Sequence, residues 1–248
     1  MWKSTIVGFA IAAAVAVSPS PVDFQHTSSD EWIAKWYSME NVMNTGGFAI
    51  SGGIDYFSEG SGGDVTHEII STTKGLGVLD RTEIVLDDAH SGLGMGEDGV
   101  WDWEVIDINV DDSRNMSSSW GLVDQSDFTW HGIIVLKAPS ARSTTMHPAH
   151  DDYAQIWING EQVYDNDQWT GGVKTVTQPT EVDLVQGDNV LLFKCGEAGG
   201  DDYVNLHFED GDSDLDIVPT LDGEFLRYAG LAVEAQGKVS TTWGALKA

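Results

Sequence analysis

The sequence is poor in cysteine, in basic residues and in long apolar segments. A single cysteine, Cys195, among 248 residues excludes an intramolecular disulfide. It lies in the apolar run VLLFKC, which predicts a buried and inert thiol. Only 12 Lys and Arg stand against 40 Asp and Glu, and the formal net charge of −28 repels nucleic acid and anionic lipid. Both are therefore excluded as partners. Beyond the N-terminus, no stretch is apolar enough to predict a membrane span.

The acidic surplus has two interpretations. Acids spread over the surface favour solubility in a salty medium, where their repulsion is screened. Acids gathered in local clusters favour the binding of a divalent cation, because Ca²⁺ prefers carboxylate and carbonyl oxygens. The position of the acids along the chain therefore decides which interpretation applies.

The N-terminus has the order of a secretory signal. Lys3 precedes an apolar run over residues 6–17, and small residues and prolines follow. The run holds about a dozen apolar residues, fewer than the ~20 of a spanning helix. We predict a signal peptide over residues 1–20 and a secreted, periplasmic or cell-surface protein. The alternative is an uncleaved membrane anchor. Residues 21–221 then form one β-sandwich domain, and residues 222–248 form a C-terminal segment without an assigned role.

Short apolar alternations separated by Gly, Ser and Asp predict an all-β protein. In the segment YAQIWI, residues 153–158, alternate side chains lie on opposite faces of a strand. Asn159 and Gly160 supply the positive φ angles of a tight type I′ hairpin turn. Residues 190–195 are apolar on both faces, as in a central, covered strand. The pattern predicts a β-sandwich. Further strands are predicted near residues 47–50, 67–71, 82–86, 101–110 and 132–137, and loops or a hairpin tip in the Gly-rich segment ISGGIDYFSEGSGGD.

One short N-terminal helix is also predicted. Ser28 is placed to cap it and Glu31 to complete a capping box. Trp32, Trp36 and Met39 then recur at helical spacing, which favours packing of one helix face against the sheet.

Two segments of the second half carry a resemblance to known families. The segments DDYAQIWINGEQV and, further on, VDLVQGDNVLLFK resemble the galactose-binding-like jelly rolls of secreted polysaccharide-degrading proteins. The sugar-binding domain of family 2 glycoside hydrolases is similar in the order of its apolar strands and its Asn-Gly and Gly-x-Asn turns. The acids before the first strand also resemble those of protective-antigen-like adhesin modules. The match covers about residues 132–209 and implies a jelly-roll β-sandwich.

The resemblance implies a cation site at Asp151 and Asp152. In the protective-antigen-like adhesins, the matching pair chelates Ca²⁺ together with sugar hydroxyls. Adjacent carboxylates converge only when a cation relieves their repulsion. This sequence departs from the adhesin pattern at Tyr153, which stands where that pattern has glycine. The alternative is that the pair closes a loop by side-chain to backbone hydrogen bonds.

The segment EDGDSDLD is a second candidate cation site. Its alternate acids, Asp210, Asp212, Asp214 and Asp216, resemble the odd-numbered ligands of a calcium loop. It is not an EF-hand, since the required Gly and Glu positions hold leucines. Ca²⁺ is therefore the predicted cofactor for both acidic segments, and a solvated acidic turn is the alternative here.

Sugar binding is further indicated by the ten tryptophans. Flat aromatic faces stack on sugar rings, and acids and amides supply hydrogen bonds. Trp169, in the polar loop DNDQWTGG, is the first candidate, and Trp120, in SSSWG, is the second. The alternative for each is packing beneath a loop.

No motif selects catalytic residues. The GxSxG and HExxH motifs are absent, and no local pattern picks two carboxylates out of the many. We therefore predict a secreted, non-enzymatic carbohydrate-binding module with an extracellular or cell-surface polysaccharide as partner, its oligomeric state left open. The alternatives are a structural surface or matrix protein, and a domain of a glycoside hydrolase or polysaccharide lyase.

Overall fold

The computed structural model describes residues 32–44, 52–79, 82–86, 90, 100–101, 103–123, 125–209 and 212–219. A seven-stranded antiparallel sheet (the large sheet) packs against a three-stranded antiparallel sheet (the small sheet). The predicted all-β jelly-roll β-sandwich is confirmed. Within the described ranges, the helices are all too short or too polar to cross a membrane.

The elements follow one another as mostly long strands and very short helices. The strands are β1 (Lys35–Met43), β2 (Ile84–Val85), β3 (Val100–Trp101), β4 (Trp103–Asp107), β5 (Phe128–Ala138), β6 (Arg142–His150), β7 (Tyr153–Ile158), β8 (Glu161–Asn166), β9 (Thr180–Leu184), β10 (Gly187–Glu197), β11 (Val204–Phe208) and β12 (Asp216–Val218). The helices are α1 (Tyr56–Ser61), α2 (His67–Ile70), α3 (Thr73–Leu79) and α4 (Asn115–Ser118).

The large sheet has the order β4-β1-β5-β10-β7-β8, and β12 also pairs with β5. The small sheet has the order β11-β6-β9, and β2 and β3 form a separate two-stranded ribbon. Strands β5 and β10 lie at the centre and pair along their whole length, from Gly187 opposite Ala138 to Glu197 opposite Phe128. Because β10 also pairs with β7, the end of β10 lies beside the start of β7.

The large sheet is covered on both faces, so two apolar cores form. One core lies between the two sheets and contains Trp36, Trp130 and Phe193. The other lies beneath α1, α2 and α3 and contains Phe57 and Trp157. This double coverage explains why residues 190–195 are apolar on both faces. Cys195 is buried and free, as predicted.

The predicted hairpin is confirmed. Asn159 and Gly160 both have positive φ angles, 53° and 89°, as a type I′ turn requires. The turn joins β7 to β8, which pair in antiparallel register. A side chain at Gly160 would meet the backbone oxygen of Glu68 at 3.2 Å, so the turn also packs closely against α2.

The prediction of a short N-terminal helix is wrong for its described part. Trp36 and Met39 lie in strand β1 and not in a helix. Trp36 contributes to the core between the sheets, and Met39 contributes to the core beneath the helices. Because β1 is covered on both faces, large apolar residues occur on both sides and imitate a helical period. Ser28 and Glu31, the predicted capping residues, lie outside the described residues.

Two segments predicted as strand or loop are short helices. Residues 67–70 form α2, and the Gly-rich segment contains α1. Asp55 caps α1, since its Oδ1 accepts from Ser58 N at 3.0 Å, and its Oδ2 accepts from His67 N at 2.9 Å. Thr66 caps α2 by accepting from Ile69 N at 3.3 Å. Side-chain capping thus holds helices that are too short to form by propensity alone.

A polar group lies buried beneath these helices. Lys194 of β10 is fully buried, and its Nζ donates to Ile54 O at 2.6 Å and to Gln155 Oε1 at 3.4 Å. Burial lowers the pKa of Lys194 to about 8. His131 lies opposite Lys194 on β5, and both of its ring nitrogens lack a hydrogen-bond partner among the described residues. Burial holds the pKa of His131 and of His67 well below the usual value.

Candidate functional site

Three carboxylates converge at one end of the sandwich. Asp151 and Asp152 lie between β6 and β7, and Glu197 is the last residue of β10. Since Gly196 lies opposite Tyr153 in the sheet, the pairing of β10 with β7 brings Glu197 to the same edge as Asp152. One oxygen from each of the three carboxylates lies within 4.8 Å of the others. We call this group the carboxylate triad. The peptide bond between Asp151 and Asp152 is cis.

Asp151 and Glu197 are buried, Asp152 is half-buried, and the carboxylate triad is incompletely hydrogen-bonded among the described residues. Glu197 is fully buried, and its Oε2 has no partner among the described residues. Its Oε1 accepts from the backbone N of Gly199, and Asp152 Oδ2 accepts from Ala198 N at 3.1 Å. A buried carboxylate oxygen without a donor is costly, and a bound cation removes that cost.

Burial and the neighbouring carboxylates raise the pKa values of two members of the triad. Burial, followed by the neighbouring Asp152 carboxylate, raises the pKa of Asp151 to about 8. Burial, followed by the charges of Asp152 and Asp151, raises the pKa of Glu197 to about 9. Three such oxygens suit a hard cation, and Ca²⁺ is bound in proteins by carboxylates, carbonyls and water. The donor set of the triad therefore fits Ca²⁺.

The backbone around the triad is fixed by hydrogen bonds. Asp151 N donates to Tyr203 O at 3.0 Å, and Asp152 N donates to Gly196 O at 3.0 Å. His150 is buried; one ring nitrogen lies 3.0 Å from Asp152 O, and the other lies 2.8 Å from the Tyr164 hydroxyl. These hydrogen bonds fix the backbone of Asp151 and Asp152 relative to the strands of the sandwich.

Glu197 is the member of the triad that sequence reasoning missed. It follows the apolar run VLLFKC by two residues, so it looked like the polar end of a core strand. Only the pairing of β10 with β7 could have indicated that Glu197 belongs to the site. An acid at the end of the strand that neighbours β7 reaches the end of the sheet where Asp152 directly precedes β7.

Trp169 lies in a loop that is bonded to the segment of the triad. Thr170 N donates to His150 O at 3.0 Å, and His150 N donates to Thr170 Oγ1 at 3.1 Å. The Trp169 side chain is 57% exposed, so a ring face is available to a ligand. The role predicted for Trp169 and the aspartates in sugar binding remains a prediction, and this placement is compatible with it.

Trp120, the second predicted aromatic, is half-buried and packs against the core between the sheets. It follows α4, which is tied to the loop that leads to β11. Asp202 accepts from Ser117 N and from Ser117 Oγ, each at 2.8 Å. Burial raises the pKa of Asp202 to about 6. Trp120 is one of four described residues that line a cavity at the β4 edge of the large sheet.

The second predicted cation site already contains a basic residue. Arg142 donates to Asp212 at 3.0 Å and to Asp214 at 2.6 Å. Thr144 Oγ1 also donates to Asp212. Hydrogen bonding to Arg142 lowers the pKa of Asp214. Asp216 lies in β12 opposite Lys137, and Asp210 lies outside the described residues. Calcium binding here stays a prediction, in competition with the Arg142 guanidinium.

Asp214→Asn is expected to leave the calcium-induced rise in melting temperature unchanged, because Arg142 already balances the charge of this segment. Asp212→Asn is expected to destabilise the protein equally with and without Ca²⁺, since it weakens a buried contact with Arg142 and Thr144. Thermal melts in Ca²⁺ and in chelator, at one ionic strength, measure both. A calcium shift lost in either variant would place a metal ion in this segment instead.

No protein-family model matches the chain. No curated protein matches it either. Among solved structures, several chains are similar to this one over part of its length. Several are family 35 carbohydrate-binding modules.

One such module, from Clostridium thermocellum, is 20% identical at a TM-score of 0.24, covering 37% of this chain and 72% of that one. Another, from Cellvibrio japonicus Abf62, is 18% identical at a TM-score of 0.25, covering 46% of this chain and 83% of that one. An anti-sigma factor domain-containing protein from Clostridium clariflavum is 17% identical at a TM-score of 0.31. That match covers 39% of this chain and only 32% of the other.

Proposed function

We propose that this protein is a secreted, non-enzymatic carbohydrate-binding module with a calcium ion in the carboxylate triad. The observation that carries the proposal is the fully buried Glu197, whose Oε2 lacks a donor among the described residues and whose carboxylate lies beside those of Asp151 and Asp152. An exposed tryptophan, Trp169, lies in the loop bonded to the residue before Asp151.

The chemistry follows from the coordination needs of the ion. Ca²⁺ takes about six to eight oxygen ligands. The carboxylate triad supplies some of them, and water or the hydroxyls of a sugar supply others. Trp169 then covers the apolar face of the same sugar ring. The ion thus stabilises the fold and orients the ligand, and the partner is an extracellular or cell-surface polysaccharide.

Burial of Glu197 argues against a hydrolytic role for the triad. A general acid must touch the glycosidic oxygen, and a glycosidase places a second carboxylate on the other side of that bond. Glu197 is fully buried, and Asp151 is only 7% exposed. Neither carboxylate has the open surface that a glycosidic bond between them requires.

A glycan array with and without Ca²⁺ tests the function. Binding of a glycan only in Ca²⁺ supports the proposal. Absence of binding in both conditions favours a structural surface or matrix protein. Release of reducing ends or unsaturated sugars from a bound polysaccharide favours a hydrolase or lyase.

Trp169→Ala is expected to weaken binding of a responsive glycan about tenfold without unfolding the protein, because stacking contributes much of the weak affinity of such sites. Asp152→Asn is expected to lose both binding and its calcium dependence. Titration calorimetry measures both affinities. Val185→Ala removes a side chain that is equally exposed, at 56%, and serves as the control. If Trp169→Ala and Asp152→Asn bind like the parent, the site lies elsewhere.

A further inference from the structure

The loop over residues 167–179 joins β8 to β9 and carries Trp169. We call it the tryptophan loop. The structure describes all of its residues, and Thr170 is the only buried side chain among them. Because Trp169 directly precedes Thr170, the position of the exposed indole depends on how Thr170 is held.

The backbone of His150 makes three hydrogen bonds with Thr170. His150 O accepts from Thr170 N at 3.0 Å and from Thr170 Oγ1 at 3.1 Å, and His150 N donates to Thr170 Oγ1 at 3.1 Å. A hydroxyl has one proton to donate, and the Thr170 hydroxyl gives it to His150 O. Towards any further partner, Thr170 Oγ1 is therefore an acceptor.

Tyr203 is that further partner, and it also contacts the carboxylate triad. Its hydroxyl donates to Thr170 Oγ1 at 3.3 Å and accepts from Gly172 N at 2.8 Å. Its carbonyl oxygen accepts from Asp151 N at 3.0 Å. Tyr203 is fully buried, so bulk water does not compete for these hydrogen bonds. One residue thus joins the backbone of the triad to the loop on either side of residue 171.

We propose that the tryptophan loop becomes ordered when the carboxylate triad holds its cation, and that Tyr203 is the positioning residue that transmits this effect. The inference rests on the calcium site proposed above and concerns the regulation of that site. Without a cation, nothing balances the three neighbouring carboxylates, and the backbone at Asp151 is less constrained. With the charges balanced, Asp151 N stays on Tyr203 O, and the Tyr203 hydroxyl fixes Thr170 and Gly172.

Ordering of the tryptophan loop links calcium binding to sugar binding. A loop that is already ordered loses less conformational entropy when a sugar stacks on Trp169, so the two ligands favour each other. Direct ligation of a sugar hydroxyl to the ion would also make sugar binding depend on calcium. The link through Tyr203 differs from direct ligation because it acts on the loop before any sugar is bound.

Amide hydrogen exchange of Thr170 and Gly172, measured by NMR in Ca²⁺ and in chelator without sugar, tests the proposal. In the parent, Ca²⁺ is expected to slow exchange about fivefold, at the lower end of the usual coupling between two sites. Tyr203→Phe keeps the ring but removes the acceptor of Gly172 N, so Ca²⁺ is expected to leave this amide unchanged. Tyr56→Phe removes another buried hydroxyl, from the core beneath the helices, and is expected to respond like the parent. Equal exchange of the parent in Ca²⁺ and in chelator would overturn the proposal.

Calcium titration of the same proteins separates a positioning role from damage to the triad. Tyr203→Phe is expected to bind Ca²⁺ nearly as tightly as the parent, because all three carboxylates remain. A loss of about tenfold or more, which is usual when a group that supports metal ligands is removed, would show that Tyr203 serves the triad and would overturn its role in the loop. Thr170→Ser keeps the hydroxyl and is expected to retain the exchange response of the parent.

The glycan array described above distinguishes failure of this inference from failure of the proposed function. Calcium-dependent glycan binding with unchanged exchange at Thr170 and Gly172 would overturn the role of Tyr203 and leave the proposed function standing. Slower exchange in Ca²⁺, together with an array on which no glycan binds, would support the calcium-ordered loop and remove the carbohydrate-binding function.

Discussion

Glu197→Gln is expected to raise the melting temperature in chelator and to lower it in Ca²⁺, relative to the parent. Without the ion, folding must bury Glu197 beside Asp151 and Asp152, and because its pKa is raised to about 9 the carboxylate takes up a proton at a cost that glutamine avoids. With the ion, the variant lacks a ligand. At a Ca²⁺ concentration about 100-fold above the Kd, binding stabilises a protein by about 2.7 kcal/mol. That corresponds to a rise of about 5–10 °C for a domain of this size, which the variant is expected to lose.

Calorimetric melts of both proteins, in Ca²⁺ and in chelator at one ionic strength, measure whether the order of the two melting temperatures reverses. Glu161→Gln removes one charge from an exposed hairpin and is expected to keep the full calcium shift. Asp152→Asn is expected to behave like Glu197→Gln, since both residues belong to the triad. Parent and Glu197→Gln curves that shift equally with Ca²⁺ would show that the triad does not hold the ion.

His131→Phe is expected to make the protein less sensitive to acid. The unfolded chain protonates this histidine near pH 6.5, whereas burial keeps it neutral in the fold to a much lower pH. The stability that the neutral ring contributes is therefore present above pH 6.5 and is lost as the pH falls. At pH 5 the loss from one such histidine is about 2 kcal/mol. Denaturant unfolding at pH 7.5 and pH 5 measures the difference between the two proteins.

The buried carboxylates change the free energy of unfolding with pH in the opposite direction to His131. The effect of His131 is therefore measured as the difference between the parent and His131→Phe. The pKa values of Asp151 and Glu197 are raised to about 8 and about 9, so protonation stabilises the fold as the pH falls from about 9 towards 4. That contribution is common to the parent and His131→Phe and cancels in the comparison. The phenyl ring also replaces two ring nitrogens that lack partners. If the parent and His131→Phe lose the same free energy of unfolding between pH 7.5 and pH 5, the role assigned to His131 is wrong.

The features that could be predicted from the sequence are those determined by residues close together along the chain. Asn159 and Gly160 determine a turn by their own φ preferences, and the alternation in β7 is visible within six residues. The paired aspartates at the start of β7 were also found, since they are adjacent in the chain. Trp169 was placed near them because a hairpin returns to the end where it began.

The parts that were missed depend on contacts between distant segments. Glu197 joins Asp152 only through the pairing of β10 with β7, which no local pattern shows. Trp36 and Met39 look helical only when β1 is assumed to have one apolar face. The short helices beneath which Lys194 lies form in a segment rich in glycine, where Asp55 also accepts from His67 N, twelve residues further along the chain.

Because the large sheet is covered on both faces, its central strands are expected to exchange their amide hydrogens slowly and the surface loops to exchange them fast. Strands β5 and β10 are paired on both sides and enclosed on both faces, so their amide hydrogens exchange with solvent only when the whole domain unfolds. The loop that carries Trp169 is joined to this frame by a few hydrogen bonds, and Trp169 itself is exposed. Substitutions in this loop are thus expected to leave global stability nearly unchanged, so ligand preference can diverge between homologues while the central strands stay the same.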